Sequence, residues 1–144
     1  MQPDARQAAD LEHINVLGIL HYVLGGITLM MGLCPSMHIY IGLSLMMGRE
    51  PFAGEAADEP LFVGVLFAGM GFFFMFGAWI LGALLLIAGR RLRQVRSRTF
   101  CMVVAGVSCV LVPLGTVLGV FTIIVLVRPS VQQLFAERAQ GAPA

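Results

Sequence analysis

Three stretches without a single Asp, Glu, Lys or Arg set the limits on what this chain can fold into. They cover residues 14–48, 61–89 and 99–127 and are 35, 29 and 29 residues long. A run of about 18 or more apolar, uncharged residues reads as a membrane span. A helix on the surface of a small soluble domain keeps a wet face, and none of the three runs has one. Only 12% of the chain is charged, against about 25% in soluble domains. The expected fold class is all-α: an integral membrane four-helix bundle in one transmembrane domain over residues 1–144.

Boundaries follow from the prolines and the charges. The first run is too long for one ordinary span: at about 1.5 Å per residue it would reach about 52 Å, against a hydrocarbon core of about 30 Å. Its one break is at Cys34, Pro35 and Ser36, and proline ends or kinks a helix. Helices are therefore expected over about 14–33 and 36–48, joined by a tight turn, with the second one short. Residues 49–60 hold four acids, Arg49, two prolines and a glycine, which suits a polar loop. A third helix is expected over about 61–90, free to continue because no Pro or Gly follows as far as Arg98. The fourth, over about 99–127, contains Pro113 near its middle. Two halves of about 13 residues would be too short to span separately, so one Pro-kinked helix is expected rather than a hairpin. A short interfacial helix is expected at about 130–138, with Ser130 and Gln133 as a capping box and Val131, Leu134 and Phe135 on one face. Two Pro-broken segments are faintly alike: Gly26, Ile27, Thr28, Pro35, Ile41, Gly42 and Gly106, Val107, Ser108, Pro113, Leu118, Gly119.

The nine basic residues are all arginine, a bias that fits a GC-rich bacterial genome. Five lie together: Arg90, Arg91, Arg93, Arg96 and Arg98. Cytoplasmic loops are enriched in Lys and Arg, so this cluster is expected in the cytoplasm of a bacterial inner membrane, fixing topology and touching lipid headgroups. Four crossings would then put segment 49–60 and both termini in the periplasm; a three-crossing alternative moves Arg6 inside. The acidic lead up to His13 lacks the positive region of a secretory signal, so no cleavage is expected. Net charge is +1, and no basic, aromatic-interleaved groove points to nucleic acid.

Catalytic chemistry has few materials. His21 and His38 form a candidate polar site, because ionisable residues within a membrane are functional candidates. In the two-helix reading they lie at different depths, and His21 is expected to hydrogen-bond a neighbouring helix. No carboxylate accompanies them in the apolar runs, and Cys34, Cys101 and Cys109 lack metal-ligand spacing. No enzyme activity, metal or cofactor is expected. Small residues are more informative, since membrane helices gain from close backbone approach rather than from hiding apolar surface. Gly18, Gly25 and Gly26 notch the first helix, Gly64 with Ala68 and Ala78 with Gly82 notch the third, and Gly115 with Gly119 form a small-xxx-small pair in the fourth. The aromatic stretch from Phe72 to Phe76 with Trp79 fits lipid contact and bundle packing.

The segments from Pro113 to Leu126 and from His21 to Thr28 resemble small bacterial four-helix membrane proteins without assigned activity. The four-span layout and Gly-rich helices also resemble the CD20-like tetraspan family, whose termini are both cytoplasmic. The resemblance implies fold and transfers no mechanism. The expected function is a scaffold or partner-binding subunit. An oligomeric channel or membrane-perturbing effector and a small carrier are the alternatives. The partners are the lipid bilayer and a second copy or another membrane protein.

Overall fold

The computed structural model describes residues 5–48 and 60–141. Among these the chain is all-helical and contains no strand: α1 Ala5–Met31, α2 Ser36–Met46, α3 Pro60–Arg93, α4 Arg98–Ser108, α5 Leu114–Val127 and α6 Pro129–Ala139. Two stretches are long and apolar enough to cross a membrane, Ala8–Met46 and Leu61–Arg93; counting α5 and α6, bent by 74° at their junction, as one span makes three. The expected loop at 49–60 falls outside the described residues apart from Pro60. That proline opens α3 at the position where a missing N–H costs nothing. By contact the chain forms two units, Met1–Gly26 with Leu81–Ala144 and Ile27–Ile80.

The first unit holds the large side-chain core. Ile14, Leu17 and Leu24 of α1, Leu85, Ala88 and Leu92 of α3, Val104 of α4, Leu118 and Leu126 of α5, and Val131 and Phe135 of α6 are all buried in it. In lipid such a core stabilises through packing contacts more than through escape from water. α1 begins nine residues earlier than expected. Its polar first turns were invisible to a reading based on apolar runs, and Asp10, buried here, has a partner that makes the burial tolerable (below).

The single kinked helix expected over 99–127 is instead two helices that fold back on each other. Arg98 Nε donates to the Leu126 carbonyl at 2.9 Å, Gly119 lies against Ala105, and Gly115 lies against Ser108; the pairing is antiparallel. Pro113 has no N–H, so the Cys109 carbonyl loses its helical donor. The Thr116 hydroxyl supplies one from across the turn, at 2.8 Å. Ser108 Oγ donates to the Ala105 carbonyl at 2.7 Å. These bonds satisfy the broken backbone internally, as an apolar medium requires. At 11 and 14 residues, the two arms reach about 17 and 21 Å, short of a bilayer.

In the second unit residues 32–35 form the expected turn between α1 and a short α2, but the turn does not reverse the chain. The Met31 carbonyl, deprived of its donor by Pro35, accepts the Cys34 N–H at 3.0 Å. Further i to i+3 bonds, Leu33 to Met30 and Ser36 to Leu33, carry the helix through. Accordingly Ala8–Met46 forms one apolar span of 39 residues. Gly32 then faces Ala78 and Trp79, Gly71 faces Pro35 and Ile39, and Gly42 faces Gly64 and Ala68, so α2 runs antiparallel to the first part of α3. Little else is buried among the described residues of this unit. Phe62, Phe73, Phe74 and Ile80 point outward, and Phe73 is 75% exposed. Such an apolar exterior is foreign to a water-soluble monomer and compatible with a membrane protein.

Candidate functional site: the arginine turn

The four residues between α3 and α4 reverse the chain without glycine. Val95 and Ser97 both adopt left-handed backbone conformations, φ 51° and 55°. For a β-branched valine this is rare and costs on the order of 1–3 kcal/mol. Burial of the Val95 side chain in the core and the bonds from the Val95 N–H to the Leu92 carbonyl and from the Arg96 N–H to the Arg91 carbonyl, each 2.9 Å, hold it there.

The turn gathers the arginines but gives them different tasks. Arg93 Nε donates to Asn15 Oδ1 of α1 at 3.0 Å, and Arg98 caps the last turn of α5 as described. Arg91 donates to Ser97 Oγ at 2.9 Å and lies 4.7 Å from the centre of the Phe100 ring, a cation–π distance. Arg90 and Arg96 make no side-chain hydrogen bond among the described residues. None of the five is paired with a carboxylate there; the one ion pair among the described residues is Arg128 with Asp10. Between them lies a cavity of about 430 Å³ lined by Ile87, Arg90, Arg91, Gln94, Arg96 and Ser97. It is within the size range of small-ligand sites, about 300–1,000 Å³, and its polar lining consists mostly of donors.

Beside the turn, Asp10 accepts a hydrogen bond from Ser130 Oγ at 2.5 Å and lies 3.4 Å from Arg128 Nη1. Ser130 is therefore not the expected helix cap. Arg128 occupies the cap position of α6 without a side-chain cap bond, and Ser130, inside the helix, holds a buried carboxylate instead. Asp10→Ala is expected to cost about 2 kcal/mol, the range for a hydrogen bond to a charged group. The half-exposed arginine adds little. The readout is faster protease cleavage within α6 in detergent; an unchanged rate would show that Asp10 does not hold it.

The other expected residues are placed as follows. Gly18 and Gly25 of α1 lie against Gly89 and Gly82 of α3, and Gly64, Ala68 and Ala78 receive Gly42 and Gly32. Gly26 is a correction: no described atom lies within 4 Å of the position its Cβ would take. Four contact glycines were missed: Gly32, Gly42, Gly71 and Gly89. A signal was present, since small residues recur every seven positions, at 18, 25 and 32 and at 64, 71 and 78, and a spacing of seven returns nearly to the same helix face. His21 also differs from expectation. It is fully buried, and its Nδ1 bonds the Leu17 carbonyl of its own helix at 2.9 Å. Its Nε2 has no hydrogen-bond partner among the described residues. His38 is exposed and stacks on Phe67, the rings 6.1 Å apart. Cys34, Cys101 and Cys109 are unpaired thiols. No group of three or more metal-ligating side chains occurs among the described residues.

The fold thus defines an all-helical protein with two to three helices able to cross a membrane. Comparison with models of protein families, with curated proteins and with solved structures gave no match.

Proposed function

We propose that this chain is a small multi-pass protein of a bacterial inner membrane that acts as a scaffold or partner-binding subunit, of the kind its sequence resembles. It crosses twice, through Ala8–Met46 and Leu61–Arg93, whose excess length over the hydrocarbon core is taken up by tilt and by helix ends that extend beyond it, while α4 and α5 form a re-entrant hairpin in the same bundle. The observation that carries this reading is what meets at one end of the first unit. Asn15 of α1 is tied to Arg93 of α3, Arg98 of α4 to the end of α5, and Asp10 to the start of α6. The start of the chain, the arginine turn and the tail helix therefore share one membrane face.

Two crossings also make better sense of the charges than the four expected from sequence. Arg90, Arg91, Arg93, Arg96, Arg98, Arg128 and Arg138 then belong to the cytoplasmic side, whereas the sequence joining the two crossings, 49–60, carries four acids and a single arginine. This is a strong positive-inside bias. The polar handles offered to a partner are then the arginine turn and α6.

Single-cysteine labelling tests the topology, with the native cysteines first replaced by serine. An impermeant maleimide applied to intact cells is expected to modify Ala56→Cys and to spare both Ser97→Cys and Gln140→Cys. Labelling of Gln140→Cys alongside a protected Ser97→Cys would restore an odd number of crossings after the arginine turn and defeat the re-entrant hairpin. For function, the mass in detergent and ion flux in reconstituted vesicles are the deciding measurements. A defined oligomer that conducts ions would replace the scaffold reading with a channel.

A further inference from the structure

We propose that the basin at the α3–α4 turn is a discrete binding site for a phosphate group, with Arg90 and Arg96 as the binding pair and Arg91 as a fixed wall. The argument rests on how the five arginines are employed. Arg93 and Arg98 spend their Nε donors on Asn15 and on the Leu126 carbonyl. Arg91 is held by Ser97 Oγ and the Phe100 ring, so its guanidinium is oriented before any ligand arrives. Arg90 and Arg96 are exposed, uncommitted among the described residues, and line the same cavity of about 430 Å³.

No carboxylate among the described residues offsets this charge, which leaves an anion as the complementary ligand. Three guanidinium groups with the Gln94 amide and the Ser97 hydroxyl provide donors in several directions. Guanidinium forks pair with carboxylate and phosphate alike, but a tetrahedral phosphate has more acceptor oxygens, pointing in different directions, than a planar carboxylate and so can use more of these donors at once. The cavity exceeds a lone phosphate in volume, and Ile87 adds an apolar wall. That combination suits a phosphate carrying an organic substituent, as in an anionic phospholipid headgroup or a soluble phosphoester. The bland alternative is a diffuse field in which every arginine counts alike. The proposal deepens the membrane reading above and rests on it only for the source of the phosphate.

The protein is purified in neutral detergent and tested in two arms. In the first, glycerol 3-phosphate is titrated calorimetrically. In the second, nanodiscs of phosphatidylcholine are doped with phosphatidylglycerol, and lipids retained after detergent extraction are counted by native mass spectrometry. Arg90→Gln with Arg96→Gln is expected to weaken binding about tenfold or more, the loss for charge-assisted hydrogen bonds. Arg93→Gln and Arg98→Gln are expected to leave affinity within about twofold while lowering the unfolding midpoint. Arg90→Lys with Arg96→Lys keeps the charge but loses the fork, and is expected to weaken binding several-fold.

Binding in the lipid arm alone assigns the headgroup, and binding in the soluble arm assigns a free phosphoester. Absence of binding in both, equal losses from all arginine substitutions, or full retention by the lysine pair overturns the site. The membrane reading fails separately, if the protein stays folded without detergent and does not float with vesicles; the soluble arm still decides the site in that case.

Discussion

Gly119→Ala is expected to lower stability by about 3 kcal/mol, the upper end of overpacking costs, although alanine is intrinsically the better helix residue. The added methyl would meet the Ala105 carbonyl oxygen closest of all, then Cys109 Sγ at 2.6 Å and Ser108 Oγ at 2.9 Å. The first of these is backbone, and the hairpin cannot yield there without separating α4 from α5. The Thr116 bond that repairs the break at Pro113 would separate with them, as would the 3.4 Å contact from Ser108 Oγ to the Gly115 carbonyl. The matched control is Gly106→Ala on the other arm, where no described atom lies within 4 Å of the new Cβ. It is expected to be neutral or to stabilise by about 0.5 kcal/mol. Equilibrium unfolding by SDS in mixed micelles, followed by helical circular dichroism, measures both. Equal midpoints for the two variants would mean that the arms do not touch at Gly119.

In the second unit the corresponding experiment is Gly42→Ala, with an expected cost of about 2–3 kcal/mol. A Cβ on Gly42 would lie 2.6 Å from both the Ala68 nitrogen and the Gly64 carbonyl oxygen. Both are backbone atoms in the middle of a helix and cannot step aside. α2 lacks the bulky buried side chains that hold the first unit together; Gly42 and Ser44 are its buried residues. Contact between backbones is therefore the main attraction available to it, as between membrane helices generally. Gly69→Ala, on the facing helix but with open space around it, is the control. A disulfide trap should report the same event: cysteines at Ser44 and at a facing position of α3 should cross-link less readily when Gly42 is alanine. A variant that unfolds and cross-links like the parent would remove the close approach from the account of this unit.

Much of the architecture could be read from the chain. The charge-free run 61–89 became α3 with only small changes at each end, and the tail pattern of Val131, Leu134 and Phe135 became α6. The small residues Gly18, Gly25, Gly64, Ala68, Ala78, Gly82, Gly115 and Gly119 all lie at helix contacts. What could not be read was the behaviour of the two prolines. Pro35 and Pro113 sit in similar apolar, glycine-bearing surroundings, and each deprives one carbonyl of its donor. At Pro35 the backbone N–H of Cys34 takes over, and after a short turn the chain continues in the same direction. At Pro113 the donor is a threonine hydroxyl across the turn, and the chain reverses. The choice depends on which donor reaches the orphan carbonyl and on whether small residues face each other afterwards, and neither is visible in a local window.

The candidate site was legible to the same partial degree. Five arginines in nine residues announce positive charge, but all five look alike in sequence. Their division into two that hold helices, one that is clamped and two that are unengaged among the described residues arises from Asn15, Leu126, Ser97 and Phe100. Asp10 looked like an ordinary tail charge until Ser130 and Arg128, some 120 positions away, were found beside it.

By itself the sequence determined the helical class, the apolar exterior and the concentration of positive charge. These depend on composition over ten to thirty neighbouring residues, and absent charge acts locally whatever the chain does elsewhere. Only the tertiary structure decided that one proline break continues and the other folds back, which glycines admit a facing backbone, and which arginines are engaged by other helices. Those outcomes are set by distances of a few ångströms between residues remote along the chain, where one methyl group or one hydroxyl changes the result.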